Sequence, residues 1–550
     1  MSVAESETAH AASGERTAPF LKKIGALILG CICFGVAIFA VLLILASVAL
    51  MIPSCAGAFS YGYVMKLKHL PFGVLAYVFA VLAAWAVVEF WHRRWPDVLG
   101  RWEVWFLVVG CFFASLCFIM WLLPALLHGP GTMTRDPSLV LESMKAGKVC
   151  FTHSIRNQYW CNYEILCSIL SVIFKGGLGF ARAFQAAMCA LAIIPVFYIS
   201  EHVAGRKLAR FVALAMGFSP SLVMYSTILT SEFLAASLLA FSALFFLKGC
   251  EANRSRKGVV ACFVLSGVLW GGADLFKPMA FLVFAAIGVM VVLLLCLHGR
   301  RSRFAVLMTG LVLLPTFHMT RKGGQAALAE IAGEPRLAAV GESALSGMLY
   351  ELALGLNVAK EGFWDGRLAR SFLAKSDRQQ RDFVREMLLR DWRKYPKLMV
   401  RKFRNIHGSN IYHHGSVSCF TYMFRDKRGA HRCPWWITPL ADSATSFFKI
   451  MFLLGAVGLL MSRRRPLSFL APGLFAALIV LGFAVVEQLI EGHGRYKTAI
   501  YPFYFMVIPY ACVLGEKVNS VRIRICGLAG ICIHWFRKAI PTRPPTPSPT

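Results

Sequence analysis

Acidic residues are scarce in this chain. Asp and Glu supply 28 of 550 residues, and charged side chains of either sign make up only 16%. Ordinary globular domains carry about 25% charge. A soluble assembly of several domains, a disordered chain and a nucleic-acid-binding module all need more polar surface than this. Metal-binding motifs are missing too. There is no C-x-x-C and no H-E-x-x-H, and the adjacent His413 and His414 make poor chelating geometry on a regular element, so no structural zinc is expected. Neither G-x-G-x-x-G nor a P-loop occurs, and no short-period repeat is found. The polar N-terminus has no early basic region or A-x-A-like cleavage site before the first apolar run, which reads as a retained helix.

What the chain has is apolar length. Hydrophobic residues reach 57% and the mean hydropathy is +0.62. A bilayer-crossing helix needs about 20 mostly apolar residues. Runs that qualify fall at 24–51, 73–91, 103–127, 182–200, 209–225, 231–248, 259–275, 279–297, 304–319, 444–462, 467–486 and 499–515. The expected fold is therefore all-α, a polytopic integral membrane protein of about twelve spans. A stretch at 160–175 is an ambiguous extra, read as a juxtamembrane helix with Tyr159 and Trp160 at the interface. Most of the 17 cysteines, among them Cys31, Cys33, Cys111, Cys117, Cys189 and Cys262, lie in apolar runs and read as small buried hydrophobes.

Charge orients the spans. The 58 basic residues against 28 acidic ones give +30, which in a membrane protein reflects basic cytoplasmic loops. With residues 1–23 in the cytoplasm, Arg93, Arg94, Arg101, Arg206, Lys207, Arg254, Arg300 and Arg463 all fall in cytoplasmic loops, and the basic, Pro-rich tail 516–550 follows suit. Both termini are then cytoplasmic. Two long loops lie outside: 128–181, between spans 24–127 and 182–319, and 320–443, before the last spans at 444–515. Within the second, Phe383, Met387, Leu388, Trp392, Tyr395, Met399 and Phe403 recur at near-helical spacing. They predict an amphipathic region broken at Pro396 and resting on the membrane. Cys150 and Cys161, or Cys419 and Cys433, could close a disulfide in an oxidising compartment.

Ionisable residues gather at the outer ends of spans. Asp136 follows HGPGTMTR and precedes a helix-like segment. It is either a helix cap or a general base held beside an apolar cleft. Glu232 opens an otherwise apolar span, where an acid is costly unless solvated or used. Asp274 and Lys277 are either partners that pair across one turn, or Lys277 meets a lipid phosphate. In EGHGRYKTAIYP, Arg495, Tyr496 and Lys497 are either an interfacial belt or a phosphate clamp, with Arg495 as forked donor and Lys497 as point charge.

These residues resemble the GT-C superfamily of membrane glycosyltransferases, in particular its protein-mannosyltransferase and aminoarabinose-transferase-like branch. Three stretches carry the likeness: Asp136 with LVLESMKAGK, the run from GFARAFQ to STILTSEFL that ends at Glu232, and EGHGRYKTAIYP. The chain departs from the branch in two extra spans before the Asp136 loop and in a degraded aromatic-proline signature at NQYWCNYEIL. The resemblance implies an enzyme using a polyprenyl-phosphate sugar donor at the extracytoplasmic face, with an unknown protein, lipid or wall-polymer acceptor. It implies Asp136 and Glu232 as catalytic residues, and Arg495, Tyr496, Lys497, Lys277 and Tyr159 as substrate-binding ones. No cofactor is implied; a divalent cation is left open. A lipid-oligosaccharide ligase would share the donor and use pairs such as Arg404 and His407. A transporter would place its ionisable residues near mid-bilayer, where few stand in this sequence.

Overall fold

A single apolar segment can satisfy all its backbone groups within itself, away from water, only as a helix. The computed structural model describes residues 19–51, 70–117, 158–174, 177–219, 222–223, 231–251, 255–298, 300–333, 344–360, 362, 365–408, 437–490 and 499–516, and among these no strand occurs. The first three helices are α1 (Pro19–Met51), α2 (Leu70–Arg94) and α3 (Pro96–Cys117). Then come α4 (Gln158–Phe174), α5 (Gly177–Leu191), α6 (Ile193–Gly217), α7 (Ser231–Gly249), α8 (Arg256–Phe276) and α9 (Ala280–His298). Six helical stretches among the described residues are long and apolar enough to cross a membrane: Pro19–Ala46, Ala183–Gly217, Ser231–Gly249, Arg256–Phe276, Phe304–Ile331 and Leu467–Leu489.

The most apolar of these helices still use their faces differently. On α1, Cys33, Val36, Ala40 and Leu43 are buried against other helices, while Phe34, Ile38, Val41 and Leu45 are exposed. A row of exposed large apolar side chains at helical spacing faces lipid. Cys111, Cys189 and Cys262 are buried as expected, whereas Cys31 is exposed, on the outer side of α1.

The span expected to end at 319 does not end there. After α10 (Arg300–Met308), a π-helical turn at Thr309–Leu313 leads into α11 (Leu314–Ile331). Hydropathy falls at Arg321 and Lys322, but the helix continues because it is packed. Gly267 and Gly271 on α8 let α11 approach so closely that a Cβ at either would stand 2.8 Å from the Leu313 carbonyl oxygen or 2.7 Å from that of Phe317. Small residues four apart permit this backbone contact in membrane helices.

The basic turn expected after residue 200 is a kink at Gly205, whose φ of 77° other residues rarely adopt. There the charges are paired. Arg206 Nε bonds Glu103 at 2.6 Å, and the buried Arg210 binds both Glu103 and Glu89, the latter at 2.6 Å. This network fastens α2 and α3 to α6.

The second long loop folds as a helical module: α12 (Ala344–Gly355), α13 (Gly366–Leu373), α14 (Asp377–Asp391) and α15 (Tyr395–Gly408). Asp365 caps α13, accepting from the amides of Arg367 and Leu368, and Ser376 opens α14 with a capping box. The break falls at a 3-10 turn, Trp392–Lys394, and Pro396 sits in the first turn of α15 where its missing N–H costs nothing. Most of the expected membrane-resting stripe is used otherwise. Met387 and Tyr395 join Leu349, Phe372, Val384 and Leu398 in the module's own core. The remaining helices are α16 (Ile437–Met461), α17 (Leu467–Leu489) and α18 (Tyr501–Val507). The module's last helix, α15, packs on α1, where the ring of Phe39 meets those of Phe403 and His407 edge-on.

Candidate functional site

Helices α7 and α8 are antiparallel neighbours, so the start of one lies beside the end of the other. Glu232 is the second residue of α7 and is fully buried; Lys277 follows the last turn of α8 with extended backbone. The Lys277 ammonium donates to Glu232 Oε1 at 3.1 Å, so two residues 45 apart in sequence form one ion pair. A carboxylate in a first helical turn also faces the positive end of the helix dipole.

Asp274 takes other partners than the expected one-turn pair with Lys277. Its Oδ1 accepts from the Met279 amide at 3.0 Å and its Oδ2 meets Arg321 Nε at 3.0 Å. The reason is geometric: Lys277 leaves the helix, and its side chain reaches α7 instead. Arg321 comes from the α11 extension that the close α8–α11 contact makes possible.

A layer of amides backs these pairs. Asn162 on α4 donates to the Leu275 carbonyl at 2.7 Å and to Gln325 Oε1 at 2.8 Å, and Gln325 Nε2 donates back to Asn162 at 3.3 Å. Tyr163 donates to Gln185 at 2.8 Å, and Glu164 is buried beside them. Buried polar side chains need partners, and here they find one another. Asn162, Glu164, Arg321 and Gln325 were not singled out from sequence. The available signals were Asn162 and Glu164 close together in a mostly apolar α4 and the four-residue spacing of Arg321 and Gln325.

A second polar group lies where α15 meets the end of α17. Lys402 is fully buried and donates to the carbonyls of Gly355 at 3.2 Å, Gln488 at 2.8 Å and Ile490 at 2.5 Å. An ammonium among the last carbonyls of a helix satisfies acceptors that the helix itself cannot. Nearby, His407 Nε2 lies 3.3 Å from Glu487 Oε2, and Lys449 donates to the His407 carbonyl at 2.5 Å. His407 is thus engaged by α17.

Of the sequence-derived site residues, the structure brings Glu232 and Lys277 together. Tyr159 lies in the first turn of α4. Asp136, Arg495, Tyr496 and Lys497 lie outside the described residues, as do Cys150, Cys419, Cys433, His413 and His414. The segment 491–498 is bracketed by two described ends, Ile490 at the Lys402 cage and the buried Ala499 and Ile500. Tyr501, just beyond, meets Ser219 Oγ at 3.2 Å at the end of α6. Among the described residues, no three His, Cys, Asp or Glu side chains gather as a metal site.

No curated protein matches the sequence. Among solved structures, the archaeal oligosaccharyltransferase AglB from Archaeoglobus fulgidus, in complex with an inhibitory peptide and a dolichol-phosphate, is similar at 15% identity with a TM-score of 0.38. The likeness covers 82% of this chain and 53% of that one, so the chain spans about half the archaeal protein's length. ArnT from Cupriavidus metallidurans bound to undecaprenyl phosphate is similar at 14% identity, over 76% of this chain and 79% of that one, with a TM-score of 0.32. Residues 163–319, which hold Glu232, Asp274 and Lys277, match the family described as dolichyl-phosphate-mannose-protein mannosyltransferase, and over that stretch the match bears out the resemblance read from the sequence motifs.

Proposed function

We propose that the chain is a membrane glycosyltransferase that moves a sugar from a polyprenyl-phosphate donor to an acceptor hydroxyl at the extracytoplasmic face, with inversion. The observation that carries this reading is the coincidence of the family match over 163–319 with a buried, charged cluster at one end of membrane-capable helices. Buried ionisable groups in such helices are expensive and mark function. In this reading the Asp136 carboxylate accepts the acceptor's hydroxyl proton as that oxygen attacks the anomeric carbon. The bond from that carbon to the phosphate oxygen breaks, and the lipid phosphate leaves with the electron pair. Arg495, Lys497 and Lys277 stabilise the negative charge that grows there. Glu232 holds the Lys277 ammonium in place, and Tyr159 and Tyr496 line the donor's approach.

The test uses purified protein in lipid with a panel of polyprenyl-phosphate monosaccharides and membrane-extract acceptors, following release of polyprenyl phosphate. Release that is lost in Asp136→Asn is the expected result, and the active donor names the sugar. Release at the wild-type rate in Asp136→Asn removes the base assigned here. No release from any donor by folded protein overturns the transferase reading itself.

A further inference from the structure

The elbow between α14 and α15 exposes what neither the module's core nor the candidate site uses. Leu389, Trp392 and Val400 are 67%, 61% and 70% exposed, and Leu388 is exposed beside them. Soluble surfaces scatter such side chains singly; here four fall within residues 388–400, on either side of one bend. Between residues 378 and 404 stand ten basic residues against three acidic ones, Asp382, Glu386 and Asp391. Asp391 is already bound by Arg390 at 2.9 Å and Lys394 at 2.8 Å. Arg385, Arg393, Lys397 and Arg401 are exposed around the apolar patch, and the Arg393 guanidinium lies 5.4 Å over the Trp392 ring.

The placement of this surface follows from its other side. Lys402, next to Arg401, is held on the last carbonyls of α17, a helix long enough to span a bilayer, and α15 packs along α1. The elbow lies about two helical turns along α15 from this contact with the end of a span. We propose that this face of the α14–α15 elbow docks anionic lipid headgroups, with Leu388, Leu389, Trp392 and Val400 entering the acyl boundary and Arg385, Arg393 and Lys397 meeting lipid phosphates. An apolar wedge ringed by cations is the chemistry that an anionic bilayer surface complements. The proposal needs only that the chain is membrane-embedded and stands whether or not it transfers sugars.

The test places a photoreactive benzoylphenylalanine at Leu389 in the full chain, in nanodiscs of phosphatidylcholine with a minor share of phosphatidylglycerol, and identifies the adducts by mass. The expected result is enrichment of phosphatidylglycerol adducts over its mole fraction by about fivefold or more, the ratio that one basic residue engaged at the surface supplies. Added salt should erode it. Arg385→Gln/Arg393→Gln/Lys397→Gln should return adducts to the mole fraction, while Arg393→Lys/Lys397→Arg, which keeps the charge, should retain the enrichment. Adducts in proportion to lipid composition in the otherwise wild-type chain would overturn the proposal. So would adducts to protein in place of lipid, or an absence of lipid adducts.

Discussion

Replacing Lys277 by Met removes the ammonium 3.1 Å from the fully buried Glu232 carboxylate. At that separation, the attraction between unit charges is about 5 kcal/mol at an effective dielectric constant near 20. Burial of both groups offsets part of it, because each gives up water. The net coupling expected from a double-mutant cycle is therefore roughly 2–4 kcal/mol, in the range of close charge pairs measured this way. Lys277→Met alone should destabilise by about 3 kcal/mol, since a buried carboxylate loses its main opposite charge. Glu232→Gln should cost less, as the amide oxygen still accepts from the lysine. The double variant Glu232→Gln/Lys277→Met should be more stable than Lys277→Met, because no buried carboxylate is then left without the Lys277 ammonium. Denaturant unfolding in mixed micelles, followed by tryptophan fluorescence, measures all four corners. A coupling below about 0.5 kcal/mol, the usual scatter of independent sites, would refute the pair as a structural unit of the site.

Further outcomes follow from the packing. Gly271→Val places new carbons against the Phe317 carbonyl oxygen and should destabilise by roughly 1–3 kcal/mol through overpacking; a thermal midpoint equal to wild type would contradict the close α8–α11 approach. Lys402→Met leaves the carbonyls of Gly355, Gln488 and Ile490 without that donor. At about 1–3 kcal/mol per unsatisfied buried group, the module at 344–408 should exchange amide hydrogens faster than the rest of the chain, and unchanged exchange would remove the latch role. Lys394 and then Arg390 hold the Asp391 carboxyl below the usual carboxylate range by bonding its charged form. A depressed folded value adds stability above the unfolded value near 3.9 that is lost as pH falls through the folded one. Limited proteolysis at the Trp392–Lys394 turn should thus rise in acid, and Asp391→Asn should flatten that dependence at a uniformly higher rate.

The legible parts of this molecule were those that hydropathy or cost exposes. The helices of α1, α7, α8 and α17 announce themselves as apolar runs, and Glu232 is conspicuous because an acid opening such a run must be explained. Its partner was not legible, since Lys277 reaches it only across the antiparallel α7–α8 contact. Arg321 and Gln325 were hidden because the sequence reading stopped the span at 319, where charges lower the hydropathy, while packing against Gly267 and Gly271 carries the helix on to Ile331. Lys402 was one basic residue in a run of ten, and nothing local separates the buried one from its exposed neighbours. The stripe in α14 and α15 showed its period but not its destination. The same pattern serves a protein core or a lipid surface, and here the core took Met387 and Tyr395.

The π-helical turn at Thr309–Leu313 sets the azimuth of everything after it on the same helical axis. One residue more than an α-helical turn holds turns the following helix by about 100°. Arg321 and Gln325 owe their inward heading to that offset, so the register of the site is set three turns before its residues. Deleting a single residue within 309–313 would let the ladder heal into a regular α-helix while swinging both side chains off Asp274 and Asn162. The segment thus behaves as a dial rather than a spacer: its length, more than its composition, decides which face of α11 the site sees.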